Sequence, residues 1–154
     1  MAKYNITAKK EKDAAYRNMV SPALMDLLQA KIHKVIVDER KFLDKDYSID
    51  KLAKDVGTNT RYVSAVISVR LNENYSSYVN KYRIEEAVRI LSNEENRRLS
   101  IIDVSDMVGF SNRQSFYAWF YRLKGITPRQ FKIQTLPPKE KPKPKAKKKK
   151  YGKY

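Results

Sequence analysis

The sequence predicts an all-α fold, and three observations support this prediction. Apolar residues recur at three- and four-residue spacings along most of the chain, which is the period of an amphipathic helix. The 154 residues include only four glycines and six prolines, which favours helices over a turn-rich β-sandwich. A short helix, a glycine-containing turn and a second helix are predicted twice, and this is the pattern of a helix-turn-helix motif.

The folded domain is predicted to cover residues 20–136, with its first helix beginning at Pro22 and Ser21 as the N-cap. Residues 1–19, which are polar and rich in lysine, are predicted to form a flexible basic arm. The apolar residues after Pro22 have the spacing of one long amphipathic helix. They are Leu24, Leu27, Leu28, Ile32, Val35, Ile36 and Phe42.

The first helix-turn-helix unit is predicted at about residues 48–71. Ser48 is the expected cap of a short helix that ends at Gly57, and Thr58 and Asn59 provide the turn and the next cap. The apolar residues expected on the inner faces of the two helices are Ile49, Leu52, Ala53, Val56, Val63, Val66 and Ile67.

The same pattern recurs at about residues 100–123. Gly109 corresponds to Gly57 at an offset of 52 residues, and this offset also pairs Arg61 with Arg113. One extra residue in the second turn raises the later offset to 53. The residues expected on the inner face of the last helix of this unit are Phe116, Trp119, Phe120 and Leu123. The recurrence indicates an internal duplication of one supersecondary unit.

The outer faces of the two second helices hold the candidate residues for DNA recognition. In a helix-turn-helix motif the second helix lies in the major groove, where each base pair presents a distinct pattern of donors and acceptors. The candidate base-reading residues are Thr60, Arg61, Ser64 and Ala65 in the first unit and Arg113, Gln114, Tyr117 and Ala118 in the second. The candidate phosphate-binding residues, at helix starts and on basic side chains, are Thr58, Asn59, Ser111, Asn112, Arg122 and Lys124.

The net charge of +16 indicates a polyanionic partner. Residues 137–154 contain nine lysines and one acidic residue, so about half of the positive excess lies in this segment. Repeated Lys-Pro pairs and few apolar residues predict a disordered, lysine-rich tail. Charge alone leaves open a nucleoid-type or RNA-binding protein with little sequence specificity, or a tether to an anionic membrane through the tail.

Residues 102–132, IDVSDMVGFSNRQSFYAWFYRLKGITPRQFK, resemble the DNA-binding domain of the AraC/XylS (arabinose-regulator) family. LAKDVGTNTRYVSAVI is similar to that family's first unit, and SSYVNKYRIEEAVRIL to its linker helix, predicted at about residues 75–92. The resemblance covers roughly residues 20–135. It implies a seven-helix, homeodomain-like tandem helix-turn-helix domain whose recognition helices enter adjacent major grooves, and the function of a bacterial transcription regulator.

Two departures from the family limit what the resemblance implies. Most members carry an effector-binding or dimerisation domain, and the residues before the first predicted helix leave no space for one, so the regulatory input stays open. The family often has a basic residue near Ala118 and a lysine near Tyr121, whereas the second recognition helix here is richer in aromatic residues, with Tyr117, Trp119, Phe120 and Tyr121. The base preference therefore cannot be taken from the family.

No enzyme active site, metal site or cofactor is expected. The chain has no cysteine and a single histidine, His33, and Asp103 and Asp106 fit a charge effect at a helix start better than catalysis. The absence of cysteine and of an apolar signal segment predicts a cytoplasmic protein, and the expected binding to DNA makes it nucleoid-associated.

Double-stranded DNA is the expected partner. Because the candidate reading residues of the two units differ, we expect the chain to bind as a monomer to an asymmetric site of about two helical turns. RNA polymerase is a further candidate partner, and no membrane partner is expected.

Overall fold

The computed structural model describes residues 20–140, and the regular structure in this range is entirely helical. The seven α-helices of the described range are α1 Pro22–His33, α2 Ile49–Asp55, α3 Thr60–Leu71, α4 Tyr75–Leu91, α5 Ile101–Met107, α6 Arg113–Lys124 and α7 Pro128–Thr135. The predicted all-α, seven-helix class is confirmed. None of the described helices combines the length and apolarity of a membrane span. The arm predicted for residues 1–19 and the lysine-rich residues 141–154 lie outside the described residues.

The first helix is shorter than the sequence predicts. α1 ends at His33 and passes into a π-helical turn, Lys34–Asp38. Arg40 then adopts a left-handed conformation, with φ of 57°, which cannot continue a right-handed helix. Phe42 is buried as expected, but it lies in a separate 3-10 turn, Lys41–Leu43. The expectation of one helix reaching Phe42 is therefore wrong.

Two separate hydrophobic clusters form the interior, one for each helix-turn-helix unit. The first contains residues of α1, α2 and α3 together with Tyr78 and Val79 from the start of α4. The second contains Ile84 and Leu91 from the rest of α4 together with residues of α5, α6 and the turn between them. α4 therefore contributes to both cores, and it is a structural part of each unit as well as the linker between them.

The second core is built largely from aromatic rings. Phe116 and Phe120 of α6 are fully buried, with ring centroids 5.8 Å apart. Phe110 packs on Phe116 at 5.3 Å, and Phe131 of α7 packs on Phe120 at 5.6 Å, both edge to face. Leu123, expected on this inner face, is 41% exposed, so that expectation is wrong. The last turn of α6 extends beyond the core.

Gly109 lies closer to a neighbouring part of the backbone than its place in a turn requires. Both Gly57 and Gly109 have positive φ values, 77° and 94°, as expected for residues that end a short helix. A Cβ atom added to Gly57 would meet no heavy atom within 4 Å. A Cβ atom added to Gly109 would lie 2.7 Å from the carbonyl oxygen of Leu43. The turn of the second unit thus touches the backbone that leads into the first unit.

Glu86 forms a charged cluster on α4. Its carboxylate accepts hydrogen bonds from Arg40 at 2.8 Å and from Arg89 at 2.9 Å, and the residue is 9% exposed. The hydrogen bond from Arg89 is the main reason that the pKa of Glu86 is lowered, and the bond from Arg40 adds to it while burial opposes it. Arg40 and Glu86 thereby connect the segment after α1 to α4.

This cluster makes a prediction about acid stability. Because the pKa of Glu86 is lower in the folded protein than in the unfolded chain, its contribution to stability is present above the unfolded value, about 4.3, and is lost as the pH falls through the folded value. We therefore expect Glu86→Gln to destabilise the domain at about pH 7 and by progressively less below about pH 4. Urea unfolding across this range measures the difference, with the exposed neighbour variant Glu85→Gln as control. A destabilisation that does not change with pH would contradict the prediction.

Candidate DNA interface

α3 and α6, the second helices of the two units, begin with the same cap. Asn59 accepts a hydrogen bond from the backbone N–H of Tyr62 at 3.0 Å, and Asn112 accepts one from that of Ser115 at 2.8 Å. Such a cap fixes the first helical residue, and therefore which side chains face outward. The first turns of α3 and α6 can thus be compared position by position.

The register of these caps corrects one predicted pairing. The capping residues Asn59 and Asn112 are 53 positions apart in the sequence, so the extra turn residue precedes the cap. Thr60 then corresponds to Arg113, and Arg61 corresponds to Gln114. The predicted equivalence of Arg61 and Arg113 is wrong, because the offset of 52 holds only as far as the turn.

In the first unit, three of the four candidate base-reading residues reach the surface. Arg61 and Ser64 are exposed and Thr60 is half-buried. Ala65 is only 7% exposed, so its expected place on the outer face is wrong. α3 packs against α1, α2 and α4, and this leaves a narrower exposed strip than the apolar pattern of the sequence predicts.

In the second unit, all four candidate residues are at least partly accessible. Arg113, Gln114 and Ala118 are exposed, and Tyr117 is half-buried. The guanidinium of Arg113 lies 5.1 Å from the ring centroid of Tyr117. A cation–π contact with a ring restrains a guanidinium without using its N–H donors in a hydrogen bond. The pair therefore presents an arginine suited to a bidentate contact.

The candidate phosphate-binding residues differ in which of their hydrogen-bonding groups already have a partner within the protein. The Asn59 and Asn112 side chains already accept hydrogen bonds from their own helices. The backbone N–H of Thr58 donates to the carbonyl of Ala53 at 2.8 Å, which leaves its hydroxyl group as the candidate contact. Ser111 is exposed in the second turn.

The two basic candidates lie in the last part of α6. Lys124 is exposed, and the guanidinium of Arg122 lies 5.1 Å from the Trp119 ring. Both positions are on the same helix as the candidate base-reading residues Arg113 and Gln114.

Charge is distributed unevenly between the first and second helices of the units. α3 and α6 together contain five basic residues and no acidic residue. α2 contains two lysines and two aspartates, and α5 contains two aspartates and no basic residue. A polyanion is therefore attracted to α3 and α6 rather than to α2 and α5.

Arg70 holds α3 in place and was not singled out from the sequence. Its guanidinium donates to the carboxylate of Asp26 at 2.6 Å and to the carbonyl oxygen of Pro22 at 3.2 Å. These hydrogen bonds fix the C-terminal part of α3 against the first turn of α1. The partners are more than 40 residues apart, so no local spacing in the sequence points to them.

A family model described as a helix-turn-helix domain matches residues 52–134, more than half of the chain. The chain belongs to the AraC-type helix-turn-helix family. Domains of this family bind DNA and occur in transcription regulators. The family resemblance that residues 102–132 suggest is thereby confirmed, and the match begins within α2 and continues through α3, the linker helix α4 and the second unit.

Two curated relatives of this AraC-type chain come from Bacillus subtilis strain 168. HTH-type transcriptional regulator YobQ is 29% identical over 115 residues, which are 75% of this chain and 46% of YobQ. HTH-type transcriptional regulator YtdP is 25% identical over 91 residues, which are 59% of this chain and 11% of YtdP. The chain thus spans less than half the length of either relative.

Solved structures support the AraC-type fold. The C-terminal domain of AraT, a response regulator from Geobacillus stearothermophilus, is 20% identical and has a TM-score of 0.61, with 80% of this chain and 94% of that domain covered. An AraC-type regulator from Chromobacterium violaceum is 24% identical and has a TM-score of 0.59, with 71% of this chain and 96% of that chain covered.

Proposed function

We propose that this AraC-type chain is a bacterial transcription regulator that binds a specific duplex sequence by placing α3 and α6 in successive major grooves. One observation supports this above the others: both helices carry the same asparagine cap and are joined through α4, which belongs to both cores. Two grooves are then contacted by one rigid chain.

The two reading faces are unlike, so the proposed site is asymmetric. The candidate base-reading residues are Thr60, Arg61 and Ser64 on α3, and Arg113, Gln114, Tyr117 and Ala118 on α6. An arginine suits guanine and a glutamine suits adenine in the major groove. Because one chain supplies both faces, we propose that it binds as a monomer. Binding in the cytoplasm on the nucleoid, and contact with RNA polymerase, are further parts of this proposal.

Selection of bound duplexes from a random DNA pool tests the proposal. We expect two unlike half-motifs whose centres lie about 10–10.5 base pairs apart, which is one helical turn. A palindrome, a single half-motif or no enrichment would each contradict the proposal. The mass of the complex in sedimentation measures its stoichiometry, and two chains per site would refute monomeric binding.

Arg113→Ala is expected to weaken binding to the selected site by about 1–3 kcal/mol and to relax the preference at one base pair. The reason is that a bidentate base contact is removed and alanine cannot replace it. The measurement is a set of dissociation constants for single-base variants of the site. Arg122→Ala is the comparison, since the loss of a phosphate contact is expected to weaken binding to all single-base variants of the site equally. If Arg113→Ala also weakens binding to all of these variants equally, then Arg113 reads no base.

The lysines beyond the described residues are proposed to add attraction that does not depend on sequence. Residues 141–154 contain eight lysines and no acidic residue. We expect their deletion to reduce the slope of log affinity against log salt, by about 0.9 for each phosphate that the shortened chain no longer neutralises. The selected sequence should stay the same. A changed sequence preference would contradict this role.

The net charge of +16 favours one other candidate, a nucleoid-type or RNA-binding protein with little sequence preference. Such binding would fall about 10³–10⁵-fold between 50 and 200 mM salt on every sequence if 6–10 phosphates are contacted. A footprint that persists at about 200 mM salt with excess competitor DNA excludes this alternative.

A further inference from the structure

A second connection between the two units lies beside α4. The carbonyl oxygens of Phe42 and Asp44 belong to the segment that leads into the first unit, and both accept hydrogen bonds from the guanidinium of Arg83 on α4. The Nε of Arg83 is 2.6 Å from the Phe42 oxygen, and Nη2 is 3.2 Å from the Asp44 oxygen. A third donor, Nη1, reaches Asn80 one turn earlier at 3.0 Å.

The same guanidinium also contacts the second unit. It lies 5.7 Å from the ring centroid of Phe110, the residue after Gly109 in the second turn. Phe110 is 2% exposed and packs on Phe116, which belongs to α6. Arg83, the carbonyls of Phe42 and Asp44, and the Phe110 ring form what we call the inter-unit brace.

Backbone packing reinforces the inter-unit brace. Gly109 lies so close to Phe42 and Leu43 that any Cβ would fall 2.7–2.8 Å from their carbonyl oxygens. Leu43 itself packs against both hydrophobic clusters. The two units therefore meet directly at this point, and the guanidinium of Arg83 is hydrogen-bonded to one side of the junction and makes a cation–π contact with Phe110 on the other.

Because of the position of Arg83 along α4, the inter-unit brace restricts the motion of α3 relative to α6. Val79 is the last buried residue of α4 in the first core, the partly buried Tyr82 also packs against that core, and Ile84 is the first residue of α4 in the second core. Arg83 thus lies at the point where the contacts of α4 pass from the first core to the second, and bending or twisting there would turn α3 relative to α6. A second connection across this point resists such a motion, which a single helix alone would allow.

We propose that Arg83 is a specificity-determining residue for the distance between the two half-sites, because it fixes the orientation of α3 relative to α6. This inference rests on the proposed function, in which both helices read DNA. One inserted or deleted base pair moves a half-site by about 3.4 Å and rotates it by about 35°. A protein with the inter-unit brace cannot reorient α3 relative to α6 to match the displaced half-site, whereas a protein without the brace can do so in part.

The test compares dissociation constants on the selected site and on sites with one base pair added or removed between the half-motifs. For the natural sequence we expect affinity to fall about tenfold or more on each altered spacing, comparable to a mismatched base pair. Arg83→Met keeps the apolar stem and removes all the donors. We expect it to bind the selected site more weakly and to reduce the spacing penalty to about threefold or less.

Two further variants control for charge and for folding. Arg89→Met removes another arginine of α4, one that pairs with Glu86 on the same helix, and should leave the spacing penalty unchanged. Arg83→Lys keeps the charge and can donate to one carbonyl, so it should fold even if Arg83→Met does not, and it should also reduce the penalty. Thermal unfolding checks that each variant is folded.

The outcomes separate this inference from the proposed function. If the natural sequence shows a spacing penalty and the folded Arg83 variants show the same one, then Arg83 serves only stability and the inference is overturned. If the natural sequence selects no two-part site, or tolerates every spacing equally, then the proposed function fails and the inference fails with it. A penalty reduced in the Arg83 variants but not in Arg89→Met supports both.

Discussion

Gly109→Ala is expected to destabilise the domain by about 2–5 kcal/mol, and Gly57→Ala by only about 1–2 kcal/mol. Both substitutions force an alanine into a left-handed conformation, which costs about 1–2 kcal/mol. Only at Gly109 would the new Cβ also meet backbone oxygens, at 2.7 and 2.8 Å. Relieving that overlap requires a shift of the backbone, at a further cost of about 1–3 kcal/mol.

Urea unfolding of the two glycine variants measures this difference directly. The pair is matched, since both residues end a short helix before a second helix and only their surroundings differ. Equal decreases in stability would mean that the second unit does not lie against Leu43 as the structure has it. A larger decrease for Gly57→Ala would contradict the expectation that a Cβ atom is accommodated at Gly57 and overlaps backbone oxygens at Gly109.

Phe116→Ala is expected to lower the free energy of unfolding by about 3–5 kcal/mol. Phe116 is fully buried and packs on Phe110, Tyr117 and Phe120, so alanine would leave a cavity among rings that cannot all move to fill it. Tyr121→Ala is the control. That side chain is on the same helix and is 58% exposed, so we expect a change within about 0.5 kcal/mol.

Chemical denaturation followed by circular dichroism measures both variants. We expect Phe116→Ala to unfold in a single transition, because α4 is shared by the two cores and the first unit cannot keep its own core when the second unfolds. A decrease below about 1 kcal/mol, or a second transition at the stability of the natural sequence, would contradict this arrangement.

The helices and their caps were predictable because their signals are local. Ser48 and Ser100 each accept a hydrogen bond from a backbone N–H three residues later, and Ser100 with Asp103 forms a capping box. Val63 and Phe116 are buried as their spacing predicts. Capping and helical periodicity depend on residues three or four positions apart, so the sequence alone is enough to predict them.

The remaining features depend on contacts between distant parts of the chain. Whether Ala65 faces outward depends on how closely α1, α2 and α4 surround α3, and its burial follows from that packing. Arg83 and the Phe42 carbonyl are 41 residues apart, so helical periodicity contains no information about their hydrogen bond. The two glycines look alike in sequence, and only the fold places Leu43 against Gly109.

The sharing of α4 between the two cores has a consequence for the DNA. If neither recognition helix can move far relative to the other, any mismatch with straight B-form geometry must be taken up by the duplex. Bending a site of about 20–30 base pairs by about 40–90° costs on the order of 1–6 kcal/mol and depends on its flexible pyrimidine–purine steps. We therefore expect the base pairs between the two proposed half-sites to influence affinity through their stiffness, even where no side chain reads them.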